Sequence, residues 1–535
     1  MYSDFPHLNA FCALLTAHDV RRAVVCPGSR NAPIAHNLWQ MQSDVDLFPI
    51  TDERSAAFAA LGMCVQSSRP AMVCVTSGSA LLNTLPAVAE ARERHLPLLV
   101  VSADREPELI GQLDGQTLPQ QGALEPYAHT FNLPTASGHR SQFTGHNLRY
   151  AIRVANEALV DLQRDGGGPV HVNIPLESPL YSFRTDILPP VYPLKVHSRK
   201  NSSPIPAELI DEIAASPMPI LVLGQLDAGP IDAVRAIDVG TKMLVLPELI
   251  SGQHGSGRVA ALEDVRLEAE GAVIVHIGGN LIDKPLKTQL RQLGDAKVVR
   301  IQEDSRISDT FFHLTDVVRG NPLAALEQLA ADLPANERVR EERARLVRAN
   351  MAHREADFDD WDDLGVMARL SEALADVPLS ALHLGNSLVL RNAAKCIETD
   401  GFRVSCNRGT NGIEGSLSAA AGYALIDDGL NVVLIGDLSF FYDSNALWNE
   451  RLGGNLRIIL FNNSGGGIFR QVKGAIESPA FGEYIAAHHD ATAEGICLAY
   501  GAHYFAARTF EELGEGFEEV LHGDFDRPAL LEIFL

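Results

Sequence analysis

The chain has 535 residues, of which 46% are hydrophobic and 21% are charged, a composition typical of a globular protein with roughly two to four domains. Its 44 basic and 68 acidic residues give a formal net charge of −24, which argues against nucleic acid or an anionic membrane as a partner. The sequence opens without a basic and apolar leader and has no apolar run of membrane-spanning length, so we expect a cytoplasmic protein without membrane contact.

Short apolar segments alternate with helical patterns along the whole chain. Because they lack polar alternation, they are typical of strands buried on both faces, as in parallel sheets covered by helices. The sequence therefore predicts an α/β fold of doubly wound, mainly parallel sheets. The segments are RAVVC, AMVCV, LPLLVVSA and PVHVNIP, then PILVLG, MLVLP, AVIVHIGG and KVVRIQ, and finally LSALHLG, VVLIGD, RIILFNN and ALLEIF.

Two changes in composition divide this pattern. Residues 176–206 are rich in Pro and Ser and predict a crossing between domains, whereas residues 335–364 are dense in charge and predict a helical connector. We therefore predict three α/β domains, at 1–185, 186–355 and 356–535. The first and third both close on a strand, HVNIP and LEIFL, which suggests a repeated fold.

Two strands of the third domain are followed by polar residues. Asp437 follows VVLIG, and Asn463 follows RIILFN after an interval of 26 residues, which suits one helical crossover between parallel strands. Both side chains should then lie at the ligand-binding edge of the sheet. With the Gly465 carbonyl they would offer an incomplete oxygen shell suited to Mg²⁺ bound to phosphate. The alternative is that both segments are ordinary strand-ending turns.

Seven motifs of the outer domains favour a functional site over ordinary strand-ending turns. They are similar to those of the MenD family of thiamine diphosphate (ThDP) enzymes, and the resemblance implies a pyrimidine-binding first domain and a diphosphate-binding third domain. The similarity is weaker in the central domain. The motifs are PGSRN at 27–31, TDERSAAF at 51–58, TSGSALLN at 76–83, SADREPEL at 102–109, LGNSLVLR at 384–391, CNRGTNGIEG at 406–415, and GDL followed by NN.

The resemblance implies how ThDP would be held. Glu53 matches the glutamate that hydrogen-bonds the aminopyrimidine ring and favours its imino tautomer, so that the cofactor provides its own base. Without the resemblance, Asp52 and Glu53 would be interpreted as favourable charges at a helix start. The resemblance also assigns cofactor contacts to Gly78 and Ile413, and ligation of Mg²⁺, with Mn²⁺ as an alternative, to Asp437, Asn463 and the Gly465 carbonyl.

The implied substrates are 2-oxoglutarate and isochorismate, whose carboxylates suit the planar fork of arginine. The resemblance implies catalytic roles for Glu53, Arg30, Gln116, Arg391 and Arg408. Ser387 and Arg391 are four positions apart and would share one helix face. The implied substrate-binding residues are Ser29, Arg30, Gln116, Lys284, Ser387, Arg391, Arg408, Ile468 and Phe469.

The implied reaction is decarboxylation of 2-oxoglutarate and addition of the resulting C4 carbanion to isochorismate, in a homodimer or a dimer of dimers. One alternative is another ThDP-dependent 2-oxo acid decarboxylase or carboligase. Arginines 30, 391 and 408 argue against it, because a small monocarboxylate needs fewer cations. A second alternative is a non-catalytic nucleotide-binding or interaction protein, which would have no need to retain Glu53, Asp437 and Asn463 together.

Three other patterns are interpreted as non-functional. GSGRVA at 255–260 satisfies a dinucleotide-binding pattern but follows no evident strand, so we expect a loop. His488 and His489 have no metal-ligating partner at i+4 and are predicted to lie on a solvated helix face or loop. The seven cysteines contain no CxxC pair, so we expect reduced, buried thiols and no metal–thiolate site.

Overall fold

The computed structural model describes residues 1–135, 144–164, 166–197, 204–227, 237–252, 265–354, 358–397 and 401–535. It contains three parallel sheets whose strands alternate with helices, which confirms the predicted fold class. The GSGRVA pattern lies outside the described residues. Within those residues, no helix combines the length and the apolar character that crossing a membrane would require.

The first sheet has the strand order β2-β1-β3-β4-β6-β5. Its strands are β1 (Arg22–Val25), β2 (Asp46–Pro49), β3 (Ala71–Val75), β4 (Leu98–Asp104), β5 (His129–Asn132) and β6 (Val170–Pro175). The accompanying helices are α1 (Pro6–Ala17), α2 (Ala32–Gln40), α3 (Glu53–Ser67), α4 (Ser79–Asn83), α5 (Leu85–Glu93) and α6 (Thr144–Leu162).

The second sheet has the order β11-β10-β9-β7-β8. Its strands are β7 (Met218–Leu223), β8 (Leu244–Pro247), β9 (Ala272–Ile277), β10 (Lys297–Gln302) and β11 (Leu314–Arg319). The helices here are α7 (Ala207–Ala215), α8 (Lys284–Arg291), α9 (Pro322–Asp332) and α10 (Glu337–Arg354). Helix α10 confirms that residues 337–354 of the charge-dense segment 335–364 are helical, and the role of this segment as a connector stays a prediction.

The third sheet has the order β13-β12-β14-β15-β17-β16. Its strands are β12 (Leu379–Leu384), β13 (Arg403–Cys406), β14 (Leu430–Gly436), β15 (Leu456–Asn462), β16 (His503–Ala507) and β17 (Ala529–Phe534). Its helices are α11 (Asp363–Leu374), α12 (Leu388–Cys396), α13 (Ser416–Ala424), α14 (Asp437–Tyr442), α15 (Glu494–Tyr500) and α16 (Phe510–His522). Short 3-10 turns cover Pro107–Leu109, Leu249–Ser251, Ser444–Leu447 and Gly467–Gln471, and a π-helical turn covers Phe481–Ile485.

The first and third sheets share one topology. Counted from the first strand of each sheet, both have the order 2-1-3-4-6-5, and all their strand pairs are parallel. This agrees with the repeated fold that the two similar closing strands suggested. In each sheet the direction of chain progression reverses between the first and third strands, which is where ligands bind in open α/β sheets.

Contacts between Cα atoms divide the chain into two compact units, so the three-domain boundaries at 185 and 355 stay predictions. The first unit carries the first sheet, and the second unit carries the other two. The first unit comprises Met1–Ser198, Leu417–Asp427 and Asp443–Arg451, and the second comprises Arg199–Ser416, Asp428–Tyr442 and Leu452–Leu535.

Helices α3 and α13 touch through their backbones inside the first unit. A Cβ atom on Gly62 would lie 1.9 Å from the carbonyl oxygen of Ala419, and one on Gly422 would lie 2.0 Å from that of Ala59. Real Cβ atoms do not approach backbone oxygens so closely, so any larger residue at either glycine must separate the helices.

Two side chains from the segment after α14 fix the starts of these helices. Asp443 accepts hydrogen bonds from the backbone nitrogen and the hydroxyl of Ser418, each at 2.7 Å, and burial raises the pKa of Asp443 to about 6. Asn445 donates to Asp52 at 2.8 Å, and Asp52 also caps α3 by accepting from the Ser55 backbone nitrogen. The start of α3 is therefore held from outside the helix as well as by its own cap.

Candidate functional site

The site residues predicted in the first domain follow three neighbouring strands of the first sheet. Ser29 and Arg30 follow β1, Glu53 begins α3 after β2, and Gly78 follows β3. These strands are parallel and adjacent in the order β2-β1-β3, so their carboxyl ends lie at one edge. The structure therefore places these residues around the topological switch point of the sheet.

Glu53 is the first residue of α3, and its side chain is partly buried. Its Oε2 atom accepts a hydrogen bond of 3.1 Å from the Asn83 side chain, which belongs to the last residue of α4. Asn83 closes the TSGSALLN motif but was not assigned a role from the sequence. Because its amide donates to Oε2, Asn83 can orient the Glu53 carboxyl.

Gly78 and Gln116 are neighbours in this unit. Gly78 has a φ of +88°, and a Cβ atom there would lie 3.0 Å from Cγ of Gln116. The Gln116 amide donates to the Ser77 carbonyl at 3.1 Å, and the Gly78 nitrogen donates to Gln120 at 2.7 Å. Position 78 therefore needs glycine both for its backbone conformation and for the close approach of Gln116.

Arg30 is buried, with 8% of its surface exposed, and donates to the Leu176 carbonyl at 2.8 Å. Burial, followed by the charge of Arg105, lowers the pKa of the Arg30 guanidinium. Arg105 belongs to the SADREPEL motif and was not assigned a role from the sequence. Ser29 lies 3.1 Å from the hydroxyl of Tyr181. The charges of Glu106, Asp114 and Asp104 act in the opposite direction, and Arg105 lies 3.4 Å from Asp114, so an anionic ligand would compete with these carboxylates for the two guanidinium groups.

In the second unit, four adjacent strand ends of the third sheet carry predicted site residues. Along β13-β12-β14-β15 they are Arg408, Ser387, Asp437 and Asn463. Strands β14 and β15 pair directly in parallel, with Gly436 opposite Phe461. This confirms the expectation that the polar ends of these two strands lie at the same edge.

Asp437 and Asn463 form the centre of the predicted metal site. Asp437 Oδ1 accepts from the Leu438 nitrogen at 2.6 Å and Oδ2 accepts from the Gly465 nitrogen at 2.9 Å, while burial raises the pKa of this carboxyl. Within the described part of the chain, the buried Oδ1 atom of Asn463 has no hydrogen-bond partner. A buried carboxylate and an unpaired amide oxygen fit a hard divalent cation, which would satisfy both.

Gly465, whose carbonyl is the third predicted ligand, has a φ of +143°, and a Cβ atom there would lie 2.6 Å from the Ala486 carbonyl. The carbonyl of Gly465 accepts from the Gly467 nitrogen at 3.0 Å, which leaves its second lone pair. In the following turn Ile468 is partly buried and Phe469 has 38% of its surface exposed. The glycines thus allow a sharp turn that ends in two apolar side chains.

The prediction that His489 is solvated is wrong. Its side chain is 18% exposed, and its Nε2 atom lies 3.4 Å from Asp437 Oδ2. The ring also packs edge-on against Phe441, and the Ala491 nitrogen donates to its Nδ1 atom at 3.1 Å. His489 lies in a loop, as predicted, but helical i+4 spacing gives no sign that this loop brings it beside Asp437.

Asn462, which precedes the predicted ligand Asn463, has a structural role. Its amide donates to Glu532 at 2.7 Å and to the Ala491 carbonyl at 3.0 Å, and its side-chain oxygen accepts from the Ser464 nitrogen. Glu532 is fully buried on β17. Asn462 therefore fixes the backbone on either side of the predicted metal ligand.

The second sheet also contributes to the placement of Arg408. Gln225, which follows β7, donates to the Cys406 carbonyl at 2.7 Å, and Asn280, which follows β9, donates to the Arg408 carbonyl at 2.7 Å. The Arg408 guanidinium donates to the Asn386 side chain at 3.3 Å. Strands β7 and β9 are adjacent at the switch point of the second sheet. The residues that follow them at this edge therefore bind the backbone of residues 406–408 of the same chain.

The remaining predicted substrate residues lie at helix starts. Lys284 is exposed at the first position of α8, whereas Lys287, one turn later, is half-buried; burial and then the charges of Arg291 and Arg408 lower the pKa of Lys287. Lys287 was not predicted, because the segment GGNLIDKPL at 278–286, which pointed to Lys284, ends one residue before it.

Ser387 and Arg391 were expected on one helix face, and the structure places them one turn apart. Ser387 is the residue before α12 rather than inside it, with a φ of +77°, and the Arg391 nitrogen donates to its carbonyl at 3.4 Å. Ile413, predicted to contact the cofactor, is 39% exposed, and its carbonyl accepts from the Ser439 hydroxyl at 2.5 Å. Ser439 lies two residues after Asp437 and so links Ile413 to the predicted metal site.

Two family models match the outer parts of the chain. Residues 8–127 match the model described as "Thiamine pyrophosphate enzyme, N-terminal TPP binding domain", and residues 391–533 match the corresponding "C-terminal TPP binding domain". Thiamine pyrophosphate is another name for ThDP. Together with the two sheets of one topology, these matches define a ThDP-dependent enzyme.

Similarity to curated proteins identifies one family within the ThDP-dependent enzymes. A protein of Bacteroides thetaiotaomicron is 37% identical over 556 residues, covering 100% of this chain and 96% of the relative. A second, from Phocaeicola vulgatus, is 36% identical with the same coverage, and a third, from Desulfotalea psychrophila, is 34% identical over 99% of this chain and 98% of the relative. All three are named 2-succinyl-5-enolpyruvyl-6-hydroxy-3-cyclohexene-1-carboxylate synthase. The chain belongs to this synthase family.

Proposed function

We propose that this protein decarboxylates 2-oxoglutarate and adds the resulting C4 carbanion to isochorismate, giving 2-succinyl-5-enolpyruvyl-6-hydroxy-3-cyclohexene-1-carboxylate and CO₂ in menaquinone biosynthesis. The observation that carries the proposal is full-length similarity to synthases named for this product. The alternative of another ThDP-dependent decarboxylase or carboligase has no comparable support.

The proposal includes Mg²⁺, or Mn²⁺ as an alternative, held by Asp437, the Asn463 side-chain oxygen and the Gly465 carbonyl. Support comes from the buried Asn463 Oδ1 atom, which has no hydrogen-bond partner among the described residues. It also comes from Asp437, because a cation would favour the ionised form that burial disfavours. These ligands would leave positions for the diphosphate oxygens and water.

When bound, ThDP would supply the electron sink for decarboxylation. Glu53 would hydrogen-bond the aminopyrimidine ring, with its carboxyl oriented by the 3.1 Å hydrogen bond from Asn83. Gly78 would let the backbone approach the cofactor, and Ile413 would support the bend between its rings. Asn83 would therefore act through Glu53 rather than on the cofactor.

The substrate carboxylates would be bound by guanidinium and ammonium groups at the two carboxyl edges. Burial of Arg30 supports this, because a guanidinium removed from water gains more from a carboxylate partner than an exposed one. Apolar residues would exclude water from the site. The proposed cations are Arg30, Lys284, Arg391 and Arg408, the proposed neutral polar groups are Ser29, Gln116 and Ser387, and the proposed apolar wall is Ile468 with Phe469.

The proposed active form is a homodimer or a dimer of dimers, in which the first domain of one subunit completes the site with the third domain of another. A cytoplasmic location also stays a prediction. The oligomeric state can be tested by measuring the mass of the purified protein in solution. The location can be tested by fractionating cells.

The decisive experiment is an activity assay with Mg²⁺ and ThDP. We expect CO₂ release from 2-oxoglutarate and, when isochorismate is added, a product with the mass of the named carboxylate. Pyruvate in place of 2-oxoglutarate is the matched substrate control, because it lacks the distal carboxylate that the cations would bind. Absence of an isochorismate-dependent adduct would overturn the proposed function.

A further inference from the structure

Asp363 contacts the predicted metal ligand Asn463 although it lies 100 residues earlier in the chain. It is the first residue of α11, and its Oδ1 atom accepts a hydrogen bond of 3.1 Å from Nδ2 of Asn463. Its Oδ2 atom lies 3.4 Å from the same nitrogen. Asp362 provides the side-chain cap of α11, so Asp363 is not required for that cap.

This contact decides which way the Asn463 amide faces. A carboxylate can only accept hydrogen bonds, so it selects the NH₂ end of the amide and turns the oxygen away from itself. The oxygen thus presented is the buried Oδ1 atom, which has no partner within the described part of the chain. In the opposite orientation two oxygens would face each other.

Asp363 does not itself complete a ligand set. Among the described residues, no group of three or more His, Cys, Asp or Glu side chains is arranged to hold a metal ion. The nearest acidic ligand candidate, Asp437, already receives backbone hydrogen bonds from Leu438 and Gly465. The hydrogen bond with the Asn463 amide is therefore the interaction through which Asp363 can affect the predicted metal site.

We propose that Asp363 is a positioning residue that holds the Asn463 carboxamide with its oxygen toward the cation. The inference rests on the metal site of the proposed function. Partners of this kind orient metal ligands, and their loss costs about 10–100-fold in metal affinity.

The test is a titration of the purified full-length protein with Mn²⁺ in the presence of ThDP, followed by electron paramagnetic resonance of free Mn²⁺. Asp363→Ala should weaken Mn²⁺ binding about 10–100-fold. Asp363→Asn keeps an oxygen that can accept from Asn463, and we expect affinity within about threefold of the wild type. Asp360→Ala, which removes an exposed carboxylate from the same segment, is the matched control and should change nothing.

A double-mutant cycle separates positioning from a general structural effect. In the Asn463→Asp background both side-chain atoms at position 463 are oxygens, so adding Asp363→Ala should cause no further loss of Mn²⁺ affinity. An equal loss in both backgrounds would overturn the inference, as would unchanged binding by Asp363→Ala alone. If Asp363→Asn binds as weakly as Asp363→Ala, charge rather than orientation is responsible, and the inference also fails.

These outcomes are distinct from failure of the proposed function. The titration needs neither substrate, so it reports on the metal site even if the protein acts on other 2-oxo acids. Wild-type protein that binds no Mn²⁺, or an Asp437→Ala variant that binds it normally, would overturn the metal site itself. Wild-type binding that is lost in Asp437→Ala but kept in Asp363→Ala would overturn only the role of Asp363.

Discussion

The side-chain amide of Asn280 donates a hydrogen bond of 2.7 Å to the backbone carbonyl of Arg408. It also donates to the Gly409 carbonyl at 3.0 Å, so one side chain from the second sheet fixes two consecutive peptides after β13. Gln225 adds a third hydrogen bond, to Cys406. The second sheet thereby controls the position of a residue proposed to bind substrate.

Asn280→Ala should therefore lower kcat/KM for the complete reaction about 5–30-fold, since hydrogen bonds of this kind contribute about 0.5–1.5 kcal/mol each. The effect should appear mainly in KM, because Arg408 would be displaced rather than removed. Steady-state kinetics with each substrate varied in turn measure this. Gln292→Ala removes an exposed amide at the end of α8 and is the matched control. Equal kinetics for the two variants would contradict the prediction.

Glu53→Gln should lower kcat about 10²–10⁴-fold, the usual contribution of a positioned proton-transfer group. Cofactor affinity should change little, because the diphosphate and the metal would be held by the third sheet. Calorimetric titration with ThDP and an assay of CO₂ release measure the two effects. Asp46→Asn makes the same change of charge at an exposed position on β2 and should leave both unchanged. Normal turnover in Glu53→Gln would refute the assigned role.

Glu532→Gln should lower the free energy of unfolding by about 1–3 kcal/mol, the cost of leaving a buried hydrogen-bond donor without an acceptor. The fully buried carboxylate accepts from the Asn462 amide, the Ala493 nitrogen and the Tyr504 hydroxyl, and a carboxamide can serve only part of this set. Urea denaturation followed by circular dichroism measures the loss. Glu515→Gln, on the exposed face of α16, should be neutral, and equal stability of both variants would contradict the prediction.

Stability should depend on pH through Asp443, whose pKa burial raises from 3.8 to about 6. Between about pH 4 and pH 6 the unfolded chain has released this proton while the folded protein keeps it. The contribution of Asp443 to stability therefore falls as the pH rises through this window, by about 1–3 kcal/mol. Asp443→Asn stays neutral, so its stability relative to the wild type should rise over the same window. Urea denaturation at a series of pH values tests this, and parallel curves would argue against it.

The strands found from the sequence and those missed differ in their place in the sheets. All the apolar segments named from the sequence form strands, and the missed strands are β2, β5, β11, β13 and β16. Each missed strand lies at the edge of its sheet and is partly exposed, as in β2 and β5. A strand with one neighbour need not be apolar on both faces, so its pattern does not stand out. The edge strand β8 was found because it is largely buried.

The residues of the candidate site also separate into those that the sequence could predict and those that it could not. Asp437 and Asn463 could be placed from sequence because the ends of parallel strands meet at one edge. Their supporting side chains could not, because contacts such as Asp363 to Asn463 join positions 100 residues apart. Such contacts depend on how helices pack on a sheet, and no local spacing encodes that. His489 was misjudged for the same reason, since a loop brings it to Asp437.

The crossing of α3 and α13 has the form of a symmetric dimer interface within a single chain. Gly62 faces Ala419 and Gly422 faces Ala59, so each helix presents alanine and glycine three positions apart and receives the same pair. In assemblies, such reciprocal contact is the mark of a two-fold axis. The helices follow β2 and β13, which occupy equivalent places in two sheets of one topology. Each glycine lies against a backbone oxygen of the opposite helix, so a larger residue at either position would disrupt the same interface.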